Sequence, residues 1–222
     1  MILWVVLLCL VVAISFVLAT QSMRDFTQVP KAEEYGLFLI RSIQGFNPAF
    51  LNSIRIGLLE SKTIISFERL FKGKKSALVV FGPKRLVLNH QKSLDLLELE
   101  DYTNVDVENI SAWEVGLKKD AKLTQKLFTN LPHFLENEQF WWQMVFSSLF
   151  KPQITAVVVA TDSTKKHSLT QALQNFAPEK IQKLPKAFSN AQLLDSYQKR
   201  SFKKEDRNQN LSFEEILHLL LI

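Results

Sequence analysis

The sequence predicts an α+β protein in which an N-terminal transmembrane helix precedes two β-α-β-β-α-β lobes and C-terminal helices. Three observations predict it. Residues 2–23 carry no charge, and the first charged side chain is Arg24. Apolar residues then recur with alternating strand and helix periods between Tyr35 and Glu100. A second run of the same kind extends from Ile110 to Phe176.

The segment from Ile2 to Ala19 is apolar almost without interruption, and thirteen of its eighteen residues are Leu, Ile, Val or Phe. As a helix it is roughly 27 Å long, against a hydrocarbon thickness of about 30 Å. Its branched and aromatic residues favour insertion by roughly 4–8 kcal/mol as an upper bound. Residues 1–23 therefore read as a membrane anchor, with Ile2, Trp4, Leu8, Ile14 and Ala19 in the bilayer. The competing reading is a cleaved secretory signal ending near Val17-Leu18-Ala19. No Lys or Arg precedes the run, however, and the run exceeds the usual h-region of about 7–15 residues. Arg24, Lys31 and Arg41 follow it, which puts the rest of the chain on the cytoplasmic side of an inner membrane. Cys9 lies inside the span and is the single cysteine, so neither a disulfide framework nor a thiol nucleophile is available.

Residues 24–34 form a polar tether. The first lobe, 35–104, begins with a strand at Tyr35–Arg41. A helix follows with Asn47 as N-cap and Pro48 at its first position, burying Phe50, Leu51, Ile54 and Leu58. Thr63 to Phe71 and Ala77 to Phe81 form a hairpin around Lys72-Gly73-Lys74-Lys75. A helical stretch from Pro83 to Leu94 leads to a strand with Leu97 and Leu99. This order is the split βαβ of ferredoxin-like folds. The second lobe, 105–188, repeats it. Ile110 to Lys118 is a strand with Trp113, Val115 and Leu117 inward, and a helical stretch covers 122–134. Gln139–Phe146 and Ile154–Thr161 are strands, and a helix at Ser163–Phe176 is capped by Asp162. Residues 189–222 hold an amphipathic helix from Asn190 to Lys199, a basic linker, and a terminal segment from Ser212.

The net charge of +5, from 27 basic and 22 acidic residues, suits an anionic membrane surface. The densest basic clusters, Lys72–Lys75 and Lys199–Arg207, read as a solvated turn and tail. Catalytic and cofactor chemistry find no motif. The four histidines stand at least 34 residues apart without ligand-spaced partners, so no metal is expected. Lys72-Gly73-Lys74-Lys75-Ser76 matches the end of a Walker A motif, but Glu68 occupies the upstream glycine position and the segment joins two strands. Asp206, Asn208 and Glu215 fall at calcium-loop spacing, yet Lys204 and Gln209 stand at its first and sixth positions. Ser212-x-x-Glu215 reads instead as a capping box. Ser76–Phe81 lacks the exposed aromatics of an RNA-binding sheet, so specific nucleic-acid binding is not expected. Phe140-Trp141-Trp142 places aromatics on both faces of a strand, leaving Trp141 as a candidate partner contact.

Several stretches together resemble a known family: 34–41 (EYGLFLIR), 66–71 (SFERLF), 97–102 (LELEDY), 137–143 (NEQFWWQ) and 211–216 (LSFEEI). They are similar to the membrane-anchored region ahead of the ATPase domain in bacterial type IV secretion or conjugation-type ATPases. The resemblance covers most of residues 1–220. In that family a segment similar to Ser212–His218 leads into the nucleotide-binding domain, and here no Walker A follows. The resemblance thus implies an accessory module acting with a separate ATPase. The expected function is a non-enzymatic, membrane-anchored docking module without cofactor. The alternative is a signal-anchored extracytoplasmic domain that binds envelope components. Leu217, Leu220 and Leu221 are expected to await the partner, on a terminal helix poorly ordered when alone.

Overall fold

The computed structural model describes residues 33–101, 110–118, 128, 131–160, 162–174, 180–184, 189–201 and 210–221. The chain divides into two units, Met1–Glu34 and Tyr35–Ile222, and every element below belongs to the second. β1 (Tyr35–Ile40) passes through a 3-10 turn at Ile43–Gly45 into α1 (Pro48–Ser61). Then come β2 (Ile65–Lys72), β3 (Lys75–Pro83), the short α2 (Lys84–Leu88) and α3 (Gln91–Leu94), and β4 (Leu96–Leu99). α1 starts because the Asn47 side-chain Oδ1 accepts from the Phe50 N–H at 3.1 Å and Pro48 has no N–H to leave unpaired. It stops at Lys62, whose φ of 53° is left-handed.

The second half supplies β5 (Ile110–Leu117), β6 (Gln139–Phe146), β7 (Gln153–Val159), α4 (Ser163–Gln174) and β8 (Ile181–Lys183). α5 (Asn190–Lys199) and α6 (Phe213–Leu220) follow. Both of these open on capping boxes, Ser189 with Gln192 and Ser212 with Glu215. The helix expected at 122–134 falls mostly outside the described residues, and 131–135 have no regular structure.

The strands form one eight-stranded sheet in the order β4-β1-β3-β2-β6-β7-β5-β8. All its pairings are antiparallel. Outward from the middle, the halves run β2-β3-β1-β4 and β6-β7-β5-β8, the same relative order twice. They meet at a seam in which β2 pairs with β6 from Ile65↔Phe146 to Lys72↔Gln139. Phe71 stands opposite Phe140, the rings stacked with centroids 5.7 Å apart. Phe67 meets Phe146 edge-on at 5.7 Å.

The two halves are joined edge to edge, the seam strands sharing their hydrogen bonds above one apolar core that runs beneath both. The expected fold class is corrected in one respect. The N-terminal transmembrane helix is not supported, since no helix among the described residues is long and apolar enough to cross a membrane. Ile2, Trp4, Leu8, Ile14 and Ala19 lie outside the described residues.

The two faces of the sheet are covered unequally. The larger core gathers Phe38, Phe67, Val80, Trp113, Trp142, Ile154 and Val158 from the strands, with residues of α1, α4 and α6 over them. α6 lies against α1 and β2 and sinks Ile216, Leu219 and Leu220 completely. On the opposite face α5 covers β5 and β7 with Leu193, Leu194 and Tyr197, against Ile110, Ala112, Trp141, Val157 and Val159.

Candidate functional site

The candidate site lies where the β2–β3 hairpin faces residues 131–137. Gly73 takes the first turn position with φ of +54°, which only glycine adopts freely. Its N–H donates to the Glu138 carbonyl at 3.3 Å, and an added Cβ would sit 3.3 Å from Glu136 Cα. The hairpin is thereby held close to the loop. Between them is a cavity of about 780 Å³ lined by Lys72, Gly73, Lys74, Lys75, His133, Phe134, Leu135, Glu136 and Asn137. A smaller cavity of about 200 Å³ shares Gly73, Lys74, Lys75, His133 and Phe134 and adds Phe71, Ser76, Leu131 and Pro132. Lys72 and Lys75 are direct partners in the hairpin register, an arrangement in which like charges repel.

Behind this wall Arg69, only 4% exposed, donates from Nη2 to Ser76 Oγ at 3.0 Å. Its guanidinium also lies 5.8 Å from the centre of the Phe71 ring. Its Nε has no acceptor among the described residues, nor does Nε1 of Trp142, its partner across the seam. Burial with no compensating carboxylate lowers the Arg69 pKa to about 10. From the sequence this hairpin reads as a solvated turn; Arg69 gives no local signal, because its burial depends on strands and loops remote in sequence.

A second polar cluster crosses the seam on the other face. Glu68 and Gln143 are cross-strand partners, and Gln143 Nε2 donates to Glu68 Oε1 at 3.0 Å and to the Tyr197 carbonyl at 2.8 Å. Ser66 Oγ and Arg200 Nε donate to the same carboxylate oxygen at 2.8 and 3.1 Å. Arg200 also forks onto both Asp101 oxygens at 2.7 and 2.8 Å and lies 4.2 Å over the Phe81 ring. Burial alone would lower its pKa, but hydrogen bonding to Asp101 and the charge of Glu68 outweigh it and hold the value above the usual one. Arg200 therefore does not belong to a solvated basic tail. It fastens the end of α5 to β2.

Ser53 Oγ lies 3.0 Å from His90 Nε2, a contact with the form of a nucleophile and a base. Burial lowers the His90 pKa, which favours the neutral ring. The ring packs edge-on against Phe50 at 4.9 Å, and no carboxylate bonds to it among the described residues. The pair joins the turn after α2 to α1. Among the described residues no group of His, Cys, Asp and Glu could hold a metal ion.

The partner contacts read from the sequence are placed differently. Trp141, 5% exposed, packs on Tyr197 at 5.5 Å and donates from Nε1 to Gln139. Leu220 is fully buried, and Leu217 and Leu221 are half-buried against the same core. α6 is thus part of the folded unit rather than a loose end, because its apolar stripe matches the surface between α1 and β2. The Asp206–Asn208 stretch lies outside the described residues.

No protein-family model, curated protein or solved structure matches the chain. The resemblance to secretion-type ATPase regions rests on the five stretches alone.

Proposed function

We propose that this chain is a non-enzymatic assembly module at the cytoplasmic side of a bacterial inner membrane, docking with a separate ATPase of the type IV secretion or conjugation kind. The observation that carries the reading is where the five resembling stretches fall. Residues 34–41 contain β1, 66–71 lie in β2, 97–102 begin in β4, 137–143 open β6, and 211–216 open α6. They touch four of the eight strands, among them both seam strands, and the helix packed on β2. A likeness concentrated there supports a shared architecture, and a broad, internally fastened sheet suits a part that positions a motor. The net charge of +5 supports a place beside an anionic membrane surface.

Cross-linking in membranes that hold the full chain and a secretion-type ATPase from the same cell should give a chain–ATPase adduct. The purified full chain should not turn over ATP. Repeated hydrolysis that is lost in Lys74→Ala overturns the non-enzymatic reading, and absence of an adduct overturns the docking. A phosphatase reporter joined after Ile222 and active in the periplasm would favour the envelope-binding alternative.

A further inference from the structure

We propose that the cavity between the β2–β3 hairpin and residues 131–137 binds a phosphate group, held by Lys72, Lys74, Lys75 and His133 with Arg69 behind them. This inference is independent of the docking reading.

Three observations point to an oxyanion. The cavity wall carries three ammonium groups, two of them directly opposite each other in the register, with Glu136 the one acidic residue in the lining. None of the three lysines forms an ion pair among the described residues. Beside the cavity, the buried Arg69 guanidinium bonds Ser76, which lines the adjoining smaller cavity, and its Nε has no acceptor among the described residues. Each of these is unfavourable in the empty protein: like charges repel across the hairpin, and a buried cation without a counter-charge loses its hydration. An anion with several acceptor oxygens in the cavity relieves the repulsion between the lysines and adds a counter-charge near the Arg69 guanidinium.

Phosphate suits the arrangement better than a carboxylate, because its two charges and multiple oxygens can serve the three ammonium groups at once. The volume of about 780 Å³ exceeds a bare ion and matches a pocket for a small molecule. Phe134 and Leu135 add an apolar side to it. The phosphate therefore belongs to a larger molecule, either a lipid headgroup or a soluble phosphorylated compound. A nucleotide loop is a different device, since there the glycine turn joins a strand to a helix, whereas Gly73 joins two strands.

The full chain in an uncharged detergent, titrated with inorganic phosphate at constant ionic strength, should bind it saturably. Lys74→Glu with Lys75→Glu should weaken binding about tenfold or more, as expected for loss of charge-assisted hydrogen bonds. Lys165→Glu with Lys183→Glu, elsewhere on the surface, should leave it unchanged. Arg69→Met should fold with undiminished stability and bind phosphate more weakly. If Arg69→Met fails to fold, the lysine variants decide. Glycerol 3-phosphate and dihexanoyl phosphatidylglycerol separate the sources: tighter binding of the lipid assigns a headgroup, and tighter binding of the former assigns a soluble compound. No saturable binding of any probe, equal weakening by the two lysine pairs, or undiminished binding by folded Arg69→Met overturns the proposal.

Discussion

Arg200 holds a backbone conformation that L residues avoid, with φ of 48°, at a cost of about 1 kcal/mol. Its side chain recovers that cost by facing Glu68 and Asp101 from inside the protein. Arg200→Met would leave the Glu68 carboxylate buried without this cation and should destabilise the chain by about 3 kcal/mol in urea unfolding. Adding Glu68→Gln should restore part of the loss; if the double variant is the less stable, the two groups do not act on each other. His90 predicts a pH dependence. The fold favours its neutral form, whereas the unfolded chain takes up a proton near pH 6.5. The contribution is complete above about pH 6.5 and declines on acidification below it. His90→Gln should flatten that part of the stability–pH curve, and an unchanged curve would remove His90 from the account.

Among the elements, α6 shows how burial overrides length. A helix of eight residues is marginal alone in water, but Ile216, Leu219 and Leu220 fill a surface that α1 and β2 leave open. Leu219→Ala should cost about 2–5 kcal/mol, and deleting residues 211–222 should lower the melting temperature sharply. Unchanged melting would mean that α6 is dispensable to the core. The strands and the longer helices were legible in sequence because their signals are local. Asn47 and Pro48 announce α1, and alternation marks β2 and β6. Ser212 and Glu215 announce the start of α6. What the sequence left hidden is non-local. Glu68 and Arg69 put a charge on each face of β2, and nothing near them says that β6 will close its edge and bury both. Trp141 looks like a surface residue until α5 covers it.

For the molecule as a whole, the seam decides how it unfolds. Halves that share a ladder and a continuous core should melt in one transition, with ellipticity and tryptophan fluorescence changing together. Two separated transitions would show that the halves fold alone. Met144→Lys, a charge placed beneath the seam at a fully buried position, should lower that transition without splitting it.

A ribosome completes β2 well before β6. The roughly seventy residues between the two strands take about 4–14 s to add at about 5–20 residues per second. Throughout that interval the nascent chain presents Ile65, Phe67 and Phe71 on a strand with one unpaired edge, a template for any foreign strand nearby. Glu68, Arg69 and Lys72 interrupt that template with charge, the device by which exposed strands resist aggregation. Two of these side chains, Glu68 and Arg69, are costly to bury in the finished sheet and yet guard it while half of it is still unmade.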